Sequence, residues 1–318
     1  MAKSGGVLLI VLLLVFAGAS WVLLEEFQGT EQGLLDRARE AALPDPEELG
    51  KFGVESPPVE GSGLQFYGRM RYRNKVIPYW IDESCSLDKQ RDILEAFRIL
   101  ESETVLEFDA DKQDAEIRVL CAELEEEKGR QKHILAGEGG PSAIINTTRY
   151  GVIFEGQISL YRDEKCDTPQ VAIHELLHAL GFDHNSDKGS IMYPITSCSQ
   201  EMDGVILSEI GALYAEEALP DLVMDEVVVV RQGGYVHFNV SVSNQGLADV
   251  AEAVFVLEAD GSRVEEFVLG DVDIGASRLL SAQWIQVRRG AEELRFSVRG
   301  DVGVGELEEG NNVVEVSA

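Results

Sequence analysis

His174-Glu175-Leu176-Leu177-His178-Ala179-Leu180-Gly181-Phe182-Asp183-His184 holds three of the chain's five histidines. On a helix, residues four apart lie one turn apart on one face, so His174 and His178 can offer two imidazole nitrogens to one metal ion. Glu175 sits on the same turn, within reach of a water held there. Gly181 is the residue best able to end the helix with positive φ and turn the chain back. That turn would bring His184 round as a third ligand. A lone histidine on an apolar helix reads as packed core, but three at this spacing do not. Three protein ligands leave the fourth position of a tetrahedral zinc open, as in catalytic rather than structural sites. One catalytic zinc ion is the expected cofactor.

Downstream, a small and polar loop from Asn185 to Gly189 leads into Ser190-Ile191-Met192-Tyr193-Pro194. The H-E-x-x-H-x-x-G-x-x-H pattern followed by this methionine turn resembles the metzincins, and its tail looks most like the matrixin branch. The resemblance implies an α+β catalytic domain, a twisted mixed sheet with an active-site helix, acting as a zinc metalloendopeptidase. It assigns His174, His178 and His184 to the metal and Glu175 to general-base work. Met192 would be a hydrophobic floor and not a ligand, while Tyr193 and Pro194 would help wall the pocket for the residue after the cleaved bond. Many matrixins are kept latent by a cysteine that occupies the zinc; no cysteine precedes Cys85, so that switch is absent. Matrixins also hold a second zinc and calcium on an upstream loop with several histidines and aspartates. Here that loop offers His133 and no aspartate, so no second zinc is expected, His133 reads as a surface residue, and calcium is left open.

Upstream of the motif, Val76 to Ile81 reads as a strand. Leu87 to Glu103 reads as an amphipathic helix with Ser86 as N-cap. Val105 to Phe108 and Ala115 to Leu120 read as two further strands. Residues 122–151 are rich in glycine and charge and read as loop. Gln157 to Tyr161 reads as the last strand before the active-site helix, which starts near Thr168 to Gln170.

Beyond Leu219-Pro220 the texture changes to short β-branched runs separated by turn signals. Runs at 227–230, 235–242, 253–257, 264–269, 278–285, 293–298 and 313–316 predict an all-β, immunoglobulin-like sandwich. Asn244-Gln245-Gly246 and the closing Glu309-Gly310-Asn311-Asn312 resemble CARDB modules, which implies a domain that binds a surface or a protein partner. His237 reads as a structural residue. Asn146-Thr147-Thr148 and Asn239-Val240-Ser241 fit glycosylation acceptors, a pattern common by chance.

At the other end, Lys3 precedes an apolar run from Val7 to Leu24, closed by Glu25-Glu26. The run is near the minimum for spanning a bilayer, while Ala17-Gly18-Ala19 fits a signal-peptidase site. Trp21 to Leu24 prolong it past that site, which favours an uncleaved transmembrane anchor over a removed signal helix. Both alternatives put the rest of the chain outside the cytoplasm. The four cysteines fit that placement. Cys166 and Cys198 bracket the zinc motif, and a bridge between them would leave Cys85 with Cys121, one of three connectivities; four reduced thiols are the alternative. Residues 26–64, acidic and carrying Pro44, Pro46, Pro57 and Pro58, read as a mostly unstructured stalk or pro-region, in which Glu31 to Ala42 fits a short helix that Pro44 stops.

The domain plan is thus an anchor or signal over 1–25, the stalk over 26–64, a protease domain over 65–219 and a sandwich over 220–318. A net charge of −30 argues against a phosphate backbone as partner; the expected partners are a protein or peptide substrate, from the resemblance, and a membrane through the N-terminal helix. Two rivals stand beside the peptidase: a catalytically inactive binding protein with a structural zinc, and an adhesion protein whose activity lies in the sandwich.

Overall fold

The structure, a computed structural model, describes residues 47–52, 63–121 and 136–318. Along the chain, β1 (Glu47–Phe52) precedes β2 (Met70–Tyr72), β3 (Val76–Ile81), α1 (Leu87–Glu103), β4 (Glu107–Ala110), β5 (Ile117–Cys121), β6 (Gly137–Asn146), β7 (Gly151–Leu160), α2 (Gln170–Ala179) and α3 (Gly204–Leu213). Then come β8 (Leu222–Gln232), β9 (Tyr235–Asn244), β10 (Val250–Ala259), β11 (Ser262–Val272), β12 (Ser277–Gln286), β13 (Glu293–Arg299) and β14 (Val313–Ser317). The expected N-terminal anchor, the helix-forming stretch before Pro44, and His133 lie outside the described residues. Among the described residues no helix is long and apolar enough to cross a membrane.

The first unit is a mixed sheet in the order β2-β7-β5-β3-β4, with β6 on the far side of β7. All pairs on that path are parallel, and β6 alone runs antiparallel. Ser86 caps α1 by accepting from the Lys89 amide at 3.3 Å, and the helix buries Ile93, Ala96, Phe97 and Leu100. Helix α2 is buried on nearly every side, with Val171 alone half-buried, as expected of a helix apolar all round. Its C-terminus is held from the sheet, because the buried Tyr72 hydroxyl donates to Ala179 O at 3.1 Å. The buried guanidinium of Arg71 does the same for α3, donating to Leu213 O at 2.6 Å and Glu216 O at 3.1 Å.

The second unit is a sandwich of two four-stranded sheets, β1-β8-β9-β12 and β11-β10-β13-β14. Phe238, Phe255 and Phe296 fill its centre with ring centroids 5.4–6.0 Å apart. The asparagine of the Asn244-Gln245-Gly246 motif is fully buried. It donates to Ala248 O and Val272 O and accepts from the Gly246 and Asp221 amides, so one side chain ties three loops. Tyr150 and Val152 of the first unit pack with Leu247 and Ile274 of the second in a separate buried cluster. Arg149 reaches Asp221 at 3.5 Å and Glu308 at 2.8 Å across the same boundary.

Within the stretch expected to be a mostly unstructured stalk, Glu47–Phe52 pairs antiparallel with β8 at the edge of a sandwich sheet. One expectation is corrected. Within the glycine-rich stretch expected to be loop, Gly137–Asn146 is a ten-residue strand. Its glycines look unlike a strand because they answer to a helix packed against them, described next.

Candidate metal centre

Helix α2 brings His174 and His178 onto one face, and Gly181 ends it. Gly181 has φ +94°, its amide donates to His178 O and the Phe182 amide to Leu177 O, the paired bonds of a Schellman cap. An added Cβ there would also stand 2.8 Å from the Met70 Cβ, so glycine is required twice over. The chain then doubles back and presents His184.

The three Nε2 atoms converge, His178 to His174 at 3.0 Å, His178 to His184 at 3.1 Å and His174 to His184 at 3.2 Å. A tetrahedral ion with nitrogen ligands near 2.0–2.1 Å sets them about 3.3–3.4 Å apart. The opposite ring nitrogens are committed: His174 Nδ1 donates to Ile191 O at 2.6 Å and His178 Nδ1 to Phe182 O at 2.7 Å. A carbonyl only accepts, so both rings carry their proton on Nδ1 and turn the Nε2 lone pair inward. Burial lowers the pKa of His174, and burial with the neighbouring His174 lowers His178 to about 4. The donor set fits zinc. Among the described residues no fourth His, Cys, Asp or Glu joins these three.

Glu175 lies beside them, buried, with its pKa raised to about 8 by burial and then by the Glu138 carboxylate. Strand β6 runs over it at a distance only glycine allows. A Cβ on Gly139 would stand 2.1 Å from Glu175 O, and one on Gly137 2.8 Å from Glu175 Cγ. Gly137, Glu138, Phe66, His184, Pro194 and Thr196 are among the residues around a cleft of about 450 Å³ over the histidines. The Phe66 ring stacks on His178 with centroids 5.6 Å apart.

Met192 is fully buried in the turn below, which Tyr193 N closes on Ser190 O at 3.1 Å. Ser190 anchors that turn: its hydroxyl accepts from Met192 N and from Asn185 Nδ2 and donates to the Asp203 carboxylate at the start of α3. Asn185 N also donates to Met192 O at 3.0 Å, locking the His184 loop to the turn. Pro194 lines the cleft, while Tyr193 is half-buried and not among the lining residues. His237 lies on β9, half-buried against Trp284, away from this centre.

Both disulfides are present, Cys85–Cys121 and Cys166–Cys198. The second spans 32 residues and closes a loop containing all three histidines and Met192. Cys166→Ser with Cys198→Ser is expected to cost about 3–4 kcal/mol of stability from loop closure. Urea unfolding with and without the pair reads this directly, and an unchanged midpoint would refute it.

Sequence reasoning missed Phe66, Glu138 and the two glycines over Glu175. Only the run Gly137-Glu138-Gly139-Gly140 signalled them, and it signals a turn equally well.

Residues 71–209 match the family model of Matrixin, and residues 219–316 match that of CARDB. Among solved structures, the CARDB domain of the PF1109 protein from Pyrococcus furiosus, in complex with di-metal ions, is similar at 21% identity. The match covers 31% of this chain and 87% of that chain with a TM-score of 0.26. No curated protein matches the chain.

Proposed function

We propose, from the premise that residues 71–209 of this chain belong to the matrixin family and residues 219–316 to CARDB, that it is a zinc-dependent metalloendopeptidase. The observation that carries the reading is the trio of Nε2 atoms 3.0–3.2 Å apart, two of them fixed by carbonyls behind. His174, His178 and His184 would hold the ion. When bound, zinc supplies Lewis-acid polarisation of the scissile carbonyl and lowers the pKa of the attacking water. The Glu175 carboxylate takes a proton from that water and passes it to the leaving amine. Among the described residues strand β6 pairs with β7 alone, so its other edge is available for an extended peptide to join as an added strand. Phe66 and the β6 rim border the same cleft. The absence of a fourth protein ligand among the described residues favours this over a structural zinc.

The two disulfides and the apolar N-terminal run support an extracytoplasmic setting with the chain held at a membrane. The CARDB unit would bind a surface or protein partner. The test of the reading is cleavage of a mixed peptide library by the full chain, with zinc and with chelator. Cleavage that chelator abolishes and zinc restores is expected; a zinc-loaded protein that cleaves nothing would overturn it.

A further inference from the structure

We propose that Glu138 selects a cationic side chain in the peptide lying along β6. The inference rests on the peptidase reading above and deepens it. Side chains alternate along a strand. Gly137 and Gly139 turn towards Glu175 on α2, so Glu138 between them turns to the opposite face of β6, where it is exposed on the cleft rim. The Tyr161 hydroxyl donates to Glu138 Oε2 at 3.0 Å and holds the carboxylate in place without neutralising it. Among the described residues no lysine or arginine pairs with it.

A peptide extended along the free edge of β6 puts every second side chain on Glu138's face. The directly opposite one comes within about 4.5–5.5 Å, Cβ to Cβ, where opposite charges attract and like charges repel. The chain's overall charge of −30 attracts cationic peptides too, but that field is smooth along the cleft and screened by salt. Only a fixed local carboxylate makes the preference depend on position.

One peptide sequence with a single Arg, Ala or Glu moved through each position tests this against the zinc-loaded full chain. Cleavage is read as kcat/KM, and binding as fluorescence anisotropy with the Glu175→Gln protein. An Arg-over-Glu preference of about fivefold is expected at one position. It should fall to near unity in Glu138→Gln and invert in Glu138→Lys, in both readouts. An inversion cannot come from a misfolded variant. Cleavage whose preference is the same in wild type and Glu138→Lys would overturn the role of Glu138 and leave the peptidase standing. If wild type cleaves nothing, the peptidase reading falls and the anisotropy series alone decides Glu138: a preference that inverts supports it, an unchanged one overturns it.

Discussion

Glu175→Gln is expected to keep the wild-type zinc content and lose about 10²–10⁴-fold in turnover. The amide has the size of the carboxylate, so it still fits beneath Gly137 and Gly139, but it accepts no proton at neutral pH. Zinc content by metal analysis and kcat on one peptide check both halves, and an active, zinc-loaded variant would remove Glu175 from the chemistry. The same variant exposes a proton effect. In the metal-free protein Glu175 has its pKa raised from 4.5 to about 8, burial first and Glu138 second, so the folded state prefers the protonated carboxyl. Relative to Glu175→Gln, that stabilisation is fully present below pH 4.5 and is lost as pH rises through about 8. A cation in the site reverses this local preference, which makes the base available when the centre is loaded. Melting temperatures of the two chelated proteins across the window should diverge as pH rises; parallel curves would contradict the burial argument.

His178→Ala is expected to abolish zinc binding, and with it both cleavage and the gain in melting temperature that zinc gives wild type. Ligand present at about 1,000 times its Kd stabilises by roughly 4 kcal/mol, so that gain is measurable. His178 is the ligand nearest both others, and its ring is fixed by Phe182 O at 2.7 Å. Its pKa of about 4 means that it binds metal at neutral pH without first losing a proton. The sign of its own pH effect is opposite to that of Glu175. A lowered histidine pKa makes the metal-free protein's stability full above 6.5 and lost as pH falls towards about 4. Chelated wild type is the control, because it lacks the metal but keeps the ring. Zinc retained by His178→Ala at wild-type stoichiometry would dismiss the three-histidine assignment.

What could be read from the residues was what local chemistry decides. Helix α1 was readable end to end, since Ser86 and the apolar spacing mark its start and buried face. The seven C-terminal runs each became a strand, because β-branched alternation and turns are local signals. The convergence of His174, His178 and His184 followed from helix spacing and a glycine. Strand β6 was not legible, because Gly137 and Gly139 are set by the approach of α2, a tertiary fact. Strand β1 was hidden among prolines and acids for a related reason: its partner β8 lies far along the chain, and backbone pairing leaves no signature in side-chain pattern. Helix α3 and the short β2 were also unanticipated. Both are fixed in part by Arg71 and Tyr72, whose polar groups bond distant carbonyls.

The pairing of β1 with β8 alters what kind of molecule this is. Lys51 and Glu226, ion-paired at 3.0 Å, stand 175 positions apart, and everything between them, including the whole metal centre, is threaded between two adjacent strands of one sheet. The unit that carries the metal centre is thus an insertion between two strands of the sandwich rather than a neighbour in front of it. During synthesis β1 emerges first and waits, unpaired, until the inserted unit and β8 have followed. Once it docks, β1 takes the place of β8 at the edge of that sheet. The chain on either side of the metal-bearing unit is thus paired within one sheet, strand against adjacent strand.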